Sequence, residues 1–351
     1  MISKTVLRWL TLAALVGLSL GVMVPAASAA FVGTEITACS NTPILVAGNF
    51  FLKKNLTATG TDCIRVEHSN VAIDMNGHTI TGDGAHRGIT DNGVFVDSVA
   101  IANGKIKDFD EGIDFFGCCS SELITIEKVD VSNNKGTGIV IEGCCNSITD
   151  VKANGDGDDG IFIDDAFNVF NKIQANDNTG DGLFAFCCNT ANQITANGNT
   201  ANGINLEEGS TGVSNSQAND NKENGIFMTS SSNSLANIKA SGNTFAGTDL
   251  TGDDNQATNV TADNNGADGM EFGSDTEDVA DSVANNNKVV GIDLGNGTFN
   301  TATDLTANHN GTDGVALKCP GNAVNVRAHN NTTNLFEITP ALCTNLDNNA
   351  P

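Results

Sequence analysis

A glycine followed by an apolar, a variable and a second apolar residue recurs along this chain about every 22 residues. A second mark, alanine followed mostly by asparagine, keeps the same interval from Ala153-Asn154 to Ala307-Asn308. Self-similarity at this length is typical of a solenoid, in which each repeat forms one coil and buries its apolar side only against its neighbours. The glycines are Gly112, Gly138, Gly160, Gly182, Gly203, Gly225, Gly247, Gly269, Gly291 and Gly314.

The pattern within a repeat predicts strands. Ile226 and Met228 would point to one side of a strand and Phe227 to the other, and the other repeats alternate in the same way. Short segments are separated by Asn, Asp, Gly, Ser and Thr, which favour turns, and the Leu-x-x-Leu-x-Leu spacing of leucine-rich repeats is absent. We therefore expect an all-β fold of about a dozen coils, whose strands form parallel sheets with a spacing of about 4.8 Å. Asparagines at one turn can then hydrogen-bond along the stack.

The first 30 residues have the features of a secretory signal peptide. Lys4 and Arg8 precede an apolar run, and small residues at 27–29 offer a cleavage site. We expect export, either as a secreted protein or to the periplasm or cell envelope, without membrane insertion. Residues 31–351 are predicted to form a single β-helix domain, with residues 31–61 as its N-terminal cap.

Ten cysteines in an exported chain predict disulfides. Cys39 with Cys63, and Cys319 with Cys343, would fasten the two ends of the solenoid. The other six cysteines form three adjacent pairs: Cys118-Cys119, Cys144-Cys145 and Cys187-Cys188. The first two pairs could be bridged from coil to coil, and the third could form a vicinal disulfide. A metal site is the alternative, although the C-x-x-C spacing is absent.

The charge balance excludes some partners. The chain has 17 Lys and Arg against 42 Asp and Glu, a net charge of −25, so it should repel nucleic acid. It should also repel polyuronates unless a cation bridges the two. There is no Tyr, and the single Trp, Trp9, lies in the signal segment, so the two residues that most often stack on sugars are missing from residues 31–351.

The middle residues of the repeat triplets give two candidate sites on the outer surface. One is an aromatic strip on which a glycan could stack, formed by Phe162, Phe184 and Phe227. Alternatively, these phenylalanines are present because Phe favours strands, or because a partner chain covers them. Asp249, Glu271 and Asp293 should stack at about 4.8 Å, and stacked carboxylates favour a bridging cation such as Ca²⁺. A solvated acidic face is the alternative, and no catalytic residues are assigned.

Two further polar groups have ordinary explanations. The acidic run at 154–165 (NGDGDDGIFIDD) is predicted to be a solvated turn. A carboxylate, a base and a cation come close together in the sequence at one place only, at Asp83, His86 and Arg87. This composition is also that of an ordinary turn.

Residues 70–82 (NVAIDMNGHTITG) resemble the first coil of right-handed parallel β-helix proteins of the pectate-lyase-like superfamily. The later repeats, such as residues 159–163 (DGIFI), are similar to the repeat of that superfamily. The resemblance covers nearly all of residues 31–351 and implies one right-handed parallel β-helix, the hand usual for parallel crossovers. It implies no single activity, because this architecture carries lyases, hydrolases, epimerases and adhesins.

The chain departs from the enzymes of that superfamily. Of the motifs of polygalacturonase-like hydrolases, only Asp158-Asp159 is present. The alginate-epimerase motif Asp-Pro-x-x-Asp is absent. A lyase needs a cationic base, and the chain has no arginine between Arg87 and Arg327. We therefore expect an exported binding or structural protein that engages a glycan or another extracellular polymer. The alternative is a polysaccharide-active enzyme, either a divergent lyase or a glycoside hydrolase.

Overall fold

The computed structural model describes residues 33–40, 42–116, 122–338 and 344–346, and this part of the chain contains strands, turns and no helix. The signal peptide predicted for residues 1–30 lies outside it. Sheet B contains 13 strands, in chain order: β4 (Ile64–Arg65), β7 (Ile89–Thr90), β9 (Ile113–Phe115), β11 (Ile139–Glu142), β13 (Ile161–Asp164), β15 (Leu183–Phe186), β17 (Ile204–Glu207), β19 (Ile226–Met228), β21 (Thr248–Leu250), β23 (Met270–Phe272), β25 (Ile292–Leu294), β27 (Asp313–Lys318) and β29 (Thr333–Ile338).

Sheet A forms the rest of each coil and contains 17 strands. Its longer strands bend at one residue with positive φ, such as Lys128 or Asp150, so that one strand covers two sides of the coil. The strands are: β1 (Thr34–Ile36), β2 (Gly48–Leu52), β3 (Leu56–Thr57), β5 (Val71–Asp74), β6 (Thr79–Thr81), β8 (Ala100–Lys107), β10 (Thr125–Val131), β12 (Ser147–Lys152), β14 (Val169–Gln174), β16 (Thr190–Thr195), β18 (Gly212–Ser214), β20 (Ser234–Lys239), β22 (Gln256–Thr261), β24 (Asp278–Ala280), β26 (Thr301–Thr303), β28 (Asn322–Val324) and β30 (Thr344–Leu346).

The strands pair in parallel and in register from coil to coil, as the repeat predicts. Ile226 lies between Ile204 of the preceding coil and Thr248 of the next. Ile226 and Met228 are fully buried and Phe227 is half-buried, so the predicted alternation is confirmed at this repeat. One apolar core runs from Phe50 to Val326. The all-β solenoid predicted from the repeat is therefore the observed fold.

The repeat glycine is required by the close approach of neighbouring coils. A Cβ atom on Gly203 would lie 2.7 Å from the carbonyl oxygen of Gly225 and 2.6 Å from Nδ2 of Asn221. Both neighbours are fixed by the stack, so a larger residue would push the coils apart. This explains why the glycine recurs with the strand that follows it.

Asparagine ladders connect the coils. At the predicted ladder, the backbone N–H and Nδ2 of Asn176 both donate to Oδ1 of Asn154. A second ladder, two residues further along each coil, is fully buried: Asn199 donates to Oδ1 of Asn221 and Asn221 to Oδ1 of Asn243. Each buried amide satisfies backbone donors at a corner of the coil, where water cannot reach.

The first strands already belong to the stack. β1 pairs in parallel with β2, and β2 pairs with β5. β3 pairs in the same way with β6. The segment predicted as an N-terminal cap therefore carries strands of sheet A and continues the stack.

The cysteines divide into bonded and free pairs. The predicted Cys39–Cys63 disulfide is confirmed. Cys319 is disulfide-bonded, while Cys343 lies outside the described residues. Cys187 and Cys188 are bonded to each other. Cys144 and Cys145 are both free, so the bridge to the preceding coil, one of the arrangements left open by the sequence, is not formed. Cys118 and Cys119 lie outside the described residues.

We expect reduction of the Cys39–Cys63 bond to destabilise the N-terminal coils. The bond closes a loop with a sequence separation of 24, which is worth about 3 kcal/mol in the chain-entropy model. Urea unfolding of the wild-type chain and of the double variant Cys39→Ala, Cys63→Ala, followed by circular dichroism, measures the loss. Equal midpoints would show that the bond contributes nothing to stability.

Candidate functional site

The middle residues of the triplets form one continuous row on the outer face of sheet B. Successive members are β-bridge partners, which places each directly above the one before. In chain order the row consists of Thr90, Asp114, Val140, Phe162, Phe184, Asn205, Phe227, Asp249, Glu271, Asp293 and Ala316. The two candidate sites found in sequence are therefore consecutive parts of one surface.

The row is less exposed than an outward-facing strand suggests. Asp114, Asn205 and Ala316 are 5–6% exposed, and the three phenylalanines are half-buried. Asn205 is held because its Nδ2 donates to Oδ2 of Asp181, 2.9 Å away. Asp181, the residue before the repeat glycine Gly182, thus contributes to the same face, which the triplet pattern did not reveal.

Four phenylalanines form an aromatic cluster at the centre of this face. The rings of Phe162 and Phe184 are stacked, parallel within 5° with centroids 5.2 Å apart. Phe186 packs edge-on against Phe184 at 4.9 Å, and Phe116 lies 6.3 Å from Phe162. Phe227 stands two coils beyond Phe184, with Asn205 on the coil between them. Sequence analysis missed Phe116 and Phe186 because they lie two residues past the middle of the triplet.

The stacking limits what the cluster can offer a ligand. Phe162 and Phe184 stack on one another, so one side of each ring is turned toward the other ring and not toward a ligand. Phe186 and the exposed Phe116 border them and widen the apolar surface. A ligand would therefore gain mainly by covering apolar area and less by stacking on a flat ring.

The predicted acidic row is formed, and a fourth carboxylate joins it. Asp249, Glu271 and Asp293 stack in register. Burial and the charge of Asp268 raise the pKa of Asp249 to about 6. Burial, Glu271 and Asp293 raise the pKa of Asp268 to about 6. Burial, Asp249 and Asp293 likewise raise the pKa of Glu271. The carboxylates repel one another, as the spacing predicts.

The divalent-cation site stays a prediction. Within the described ranges no three His, Cys, Asp or Glu side chains are grouped so as to hold a metal ion. If Ca²⁺ bridges the row, it should raise the melting temperature at pH 8, where Asp249 and Asp268 are charged, and raise it less at pH 5, where these two are protonated. Glu271→Gln should abolish the rise. Identical melting curves with and without millimolar calcium at pH 8 would rule the site out.

A mixed-charge cluster occupies the N-terminal end of the face. Nε of Arg87 lies 2.7 Å from Oδ2 of Asp114 and 3.4 Å from Oε2 of Glu111. Burial raises the pKa of Asp114 to about 6 although Arg87 opposes the shift, and the charges of Glu111 and Asp91 add to it. A cation and a carboxyl group that titrates near neutrality are thus in direct contact on this surface.

His86 lies beside this cluster in a tight turn. Its Nδ1 is 3.0 Å from both carboxylate oxygens of Asp83. Asp83 also accepts hydrogen bonds from the backbone N–H groups of Gly60 and Ala85, and the Gly60 bond and His86 hold its pKa well below the usual range. The group is exposed, and its bonds are those of a turn.

The acidic run at 154–165 is only in part the solvated turn predicted from sequence, because Asp158 is exposed but Asp156 and Asp159 are not. Asp156 takes one position of the buried asparagine ladder and is 1% exposed. The backbone N–H of Asn134 donates to its Oδ1 at 2.7 Å, and its own N–H donates to Asn178. Burial raises the pKa of Asp156 to about 7 and that of the half-buried Asp159 to about 7. Asp156 therefore takes the place of an amide in the ladder, and Asp159 accepts a hydrogen bond from the backbone N–H of Asp181 on the next coil.

Comparison with known proteins agrees with the architecture. Residues 87–245 match the sequence profile of the family described as right handed beta helix region. The chain is a right-handed parallel β-helix. The solved A-module of Azotobacter vinelandii mannuronan C-5 epimerase AlgE4 superposes on this β-helix with a TM-score of 0.55 and 16% identity, covering 83% of this chain and 89% of that one. The A-module of AlgE6 from the same organism gives a TM-score of 0.48 and 13% identity over 87% and 91%.

At these identities the likeness extends to the fold alone. A comparison of the β-helix sequence with curated proteins finds no match. Among the described residues, no helix is long and apolar enough to cross a membrane.

Proposed function

We propose that this β-helix is exported and binds a polysaccharide along the outer face of sheet B. The observation that carries the proposal is the aromatic cluster, in which Phe162 and Phe184 stack and Phe116 and Phe186 extend the apolar surface. Large apolar side chains that stay half-exposed on successive coils are unusual unless something covers them. A repeating ligand suits a surface that repeats with each coil.

The fold neighbour and the charge narrow the class of polymer. AlgE4 is named as a mannuronan epimerase, so this architecture serves a polymeric sugar in that protein. Here the cluster is followed along the row by Asp249, Glu271 and Asp293, and the chain carries a net charge of −25. Such a face disfavours a polyanion, so the preferred ligand is a neutral glycan.

Replacing Phe184 with serine should weaken glycan binding about tenfold, which corresponds to about 1.4 kcal/mol. The substitution removes the ring that contacts both Phe162 and Phe186. A glycan array on residues 31–351 identifies the ligand, and calorimetry on the best polymer measures the loss. Phe299→Ser is the matched control, because Phe299 is 65% exposed and lies outside sheet B. Equal binding by wild type and Phe184→Ser would remove the cluster from the binding site.

A polysaccharide-active enzyme is the second candidate, and the contact of Arg87 with Asp114 favours it. A carboxyl group with a pKa near 6 can exchange a proton at neutral pH, and a cation beside it can stabilise developing negative charge. Release of reducing ends or unsaturated sugars from any polymer on the array would establish activity. In that case Asp114→Asn should abolish turnover while leaving binding at the aromatic cluster intact.

A further inference from the structure

Two free thiols meet at one corner of the β-helix. Cys144 and Cys145 follow β11, and their Sγ atoms are 2.6 Å apart. Cys145 is exposed and has a φ of 67°, so the backbone is already in the left-handed region. The corner is fixed on both sides, because Leu123 N–H donates to the carbonyl of Cys144 and Cys145 N–H donates to that of Ala166. The two sulfurs are therefore held together by the fold.

The same corner two coils further on is already oxidised. Cys187 and Cys188 follow β15 and form a disulfide with each other, and both have positive φ. The following coil makes room for this pair, since a Cβ on Gly209 would lie 2.4 Å from Sγ of Cys187. The β-helix thus accommodates a bond between adjacent cysteines at this type of corner.

We propose that Cys144 and Cys145 are a site of reversible oxidation, which closes to a vicinal disulfide by exchange with a low-molecular-weight disulfide such as oxidised glutathione. The thiolate of Cys145 attacks one glutathione sulfur, forming a mixed disulfide and releasing one glutathione thiolate. Cys144 then attacks Sγ of Cys145 and releases the second. Two protein thiols are oxidised, one oxidised glutathione is reduced to two thiols, and both protons end on glutathione.

The order of attack follows from exposure and charge. Cys145 is exposed to the reagent, whereas Cys144 is half-buried. Burial and the hydrogen bond with Cys145 raise the pKa of Cys144 to about 12, and the nearby Glu122 and Asp165 add to the shift. Cys144 is therefore a poor first nucleophile, but it lies next to the bond it must attack. This proximity replaces the need for a low pKa.

The full-length chain, reduced and then treated with oxidised glutathione, tests the proposal. After acid quenching and alkylation, the peptide that contains Cys144 and Cys145 should lack two hydrogens and carry neither label nor glutathione. Dithiothreitol should restore both thiols. A stable glutathione adduct on wild-type Cys145, two alkylated thiols, or a bond from this pair to Cys118 or Cys119 would overturn the proposal.

Single variants separate the two roles. Cys144→Ser should stop at one glutathione on Cys145, and Cys145→Ser should react at least tenfold more slowly than wild type. Phenylarsine oxide, which needs two neighbouring thiols, should block oxidation of the wild type and leave the adduct of Cys144→Ser unaffected. Unchanged circular dichroism of both variants confirms that they fold. Equal reaction rates for the two single variants would contradict the assigned order of attack.

Discussion

Replacing Ile226 with aspartate should unfold the coils around it and cost about 4 kcal/mol or more. Ile226 is fully buried between Ile204 and Thr248, and the described core offers no cation to pair with the new carboxylate at this position. Because each coil contacts only its neighbours, the damage should begin locally and lower the cooperativity of unfolding. Urea unfolding followed by circular dichroism measures both effects.

The control lies in the next residue. Phe227→Ser removes more apolar area than Ile226→Asp but acts on the outer face, where Phe227 is half-buried. It should cost about 1–2 kcal/mol and leave unfolding cooperative. If Phe227→Ser were as damaging as Ile226→Asp, the assignment of inner and outer faces of sheet B would be wrong.

Stability should fall as the pH rises from about 4 to 8. Burial raises the pKa of Asp156 to about 7 and that of Glu277 to about 8, and each lies in a ladder of amides. A carboxyl group whose pKa is raised on folding stabilises the protein while it is protonated. That contribution is complete below the unfolded-state pKa and disappears as the pH passes the folded-state value. Each group should contribute on the order of 3 kcal/mol.

Amide variants should remove this pH dependence. In the equivalent positions, Nδ2 of Asn178 and Asn199 donates to the carbonyl oxygens of Ala153 and Ala175, whereas Oδ2 of Asp156 has no partner among the described residues. The side-chain amide of the Asp156→Asn variant can donate to a backbone carbonyl oxygen at any pH. The variant should therefore melt at a higher temperature than the wild type at pH 8 and at the same temperature at pH 4.

Glu277→Gln should act in the same way at its own ladder. Asp177→Asn is the control, because Asp177 is exposed on the coil that follows Asp156. Melting curves between pH 4 and 8 make the comparison. A wild type that is equally stable at both ends of this range would show that Asp156 and Glu277 are not held protonated by the fold.

The fold can be predicted from the sequence because it depends on local residue patterns that recur in every coil. The glycine before Ile226 and the alternation around Phe227 are properties of a single repeat, and the stack multiplies them. The buried ladder through Asn199 and Asn221 was missed because polar residues normally indicate the surface. For the same reason Asp156 was assigned to a solvated turn.

Only part of the candidate site can be predicted from the sequence. Phe162 and Phe184 were found by their position in the triplet, whereas Phe116 and Phe186 join them through side-chain packing at strand ends. The contact between Arg87 and Asp114 joins two neighbouring coils, so no motif within a single repeat predicts it. Residues from different repeats become neighbours only when the register of the stack is known.

The in-register stack also constrains how such a chain can change in length. The row on sheet B places the Arg87–Asp114 contact and the row of Asp249, Glu271 and Asp293 at fixed coil numbers, with strands about 4.8 Å apart. Insertion or loss of a whole coil between them would alter their separation by one strand spacing and keep every ladder closed. Loss of a few residues would instead break all the ladders of that coil. Gene duplication of single repeats could therefore change the length of this face without altering the cross-section of the coil.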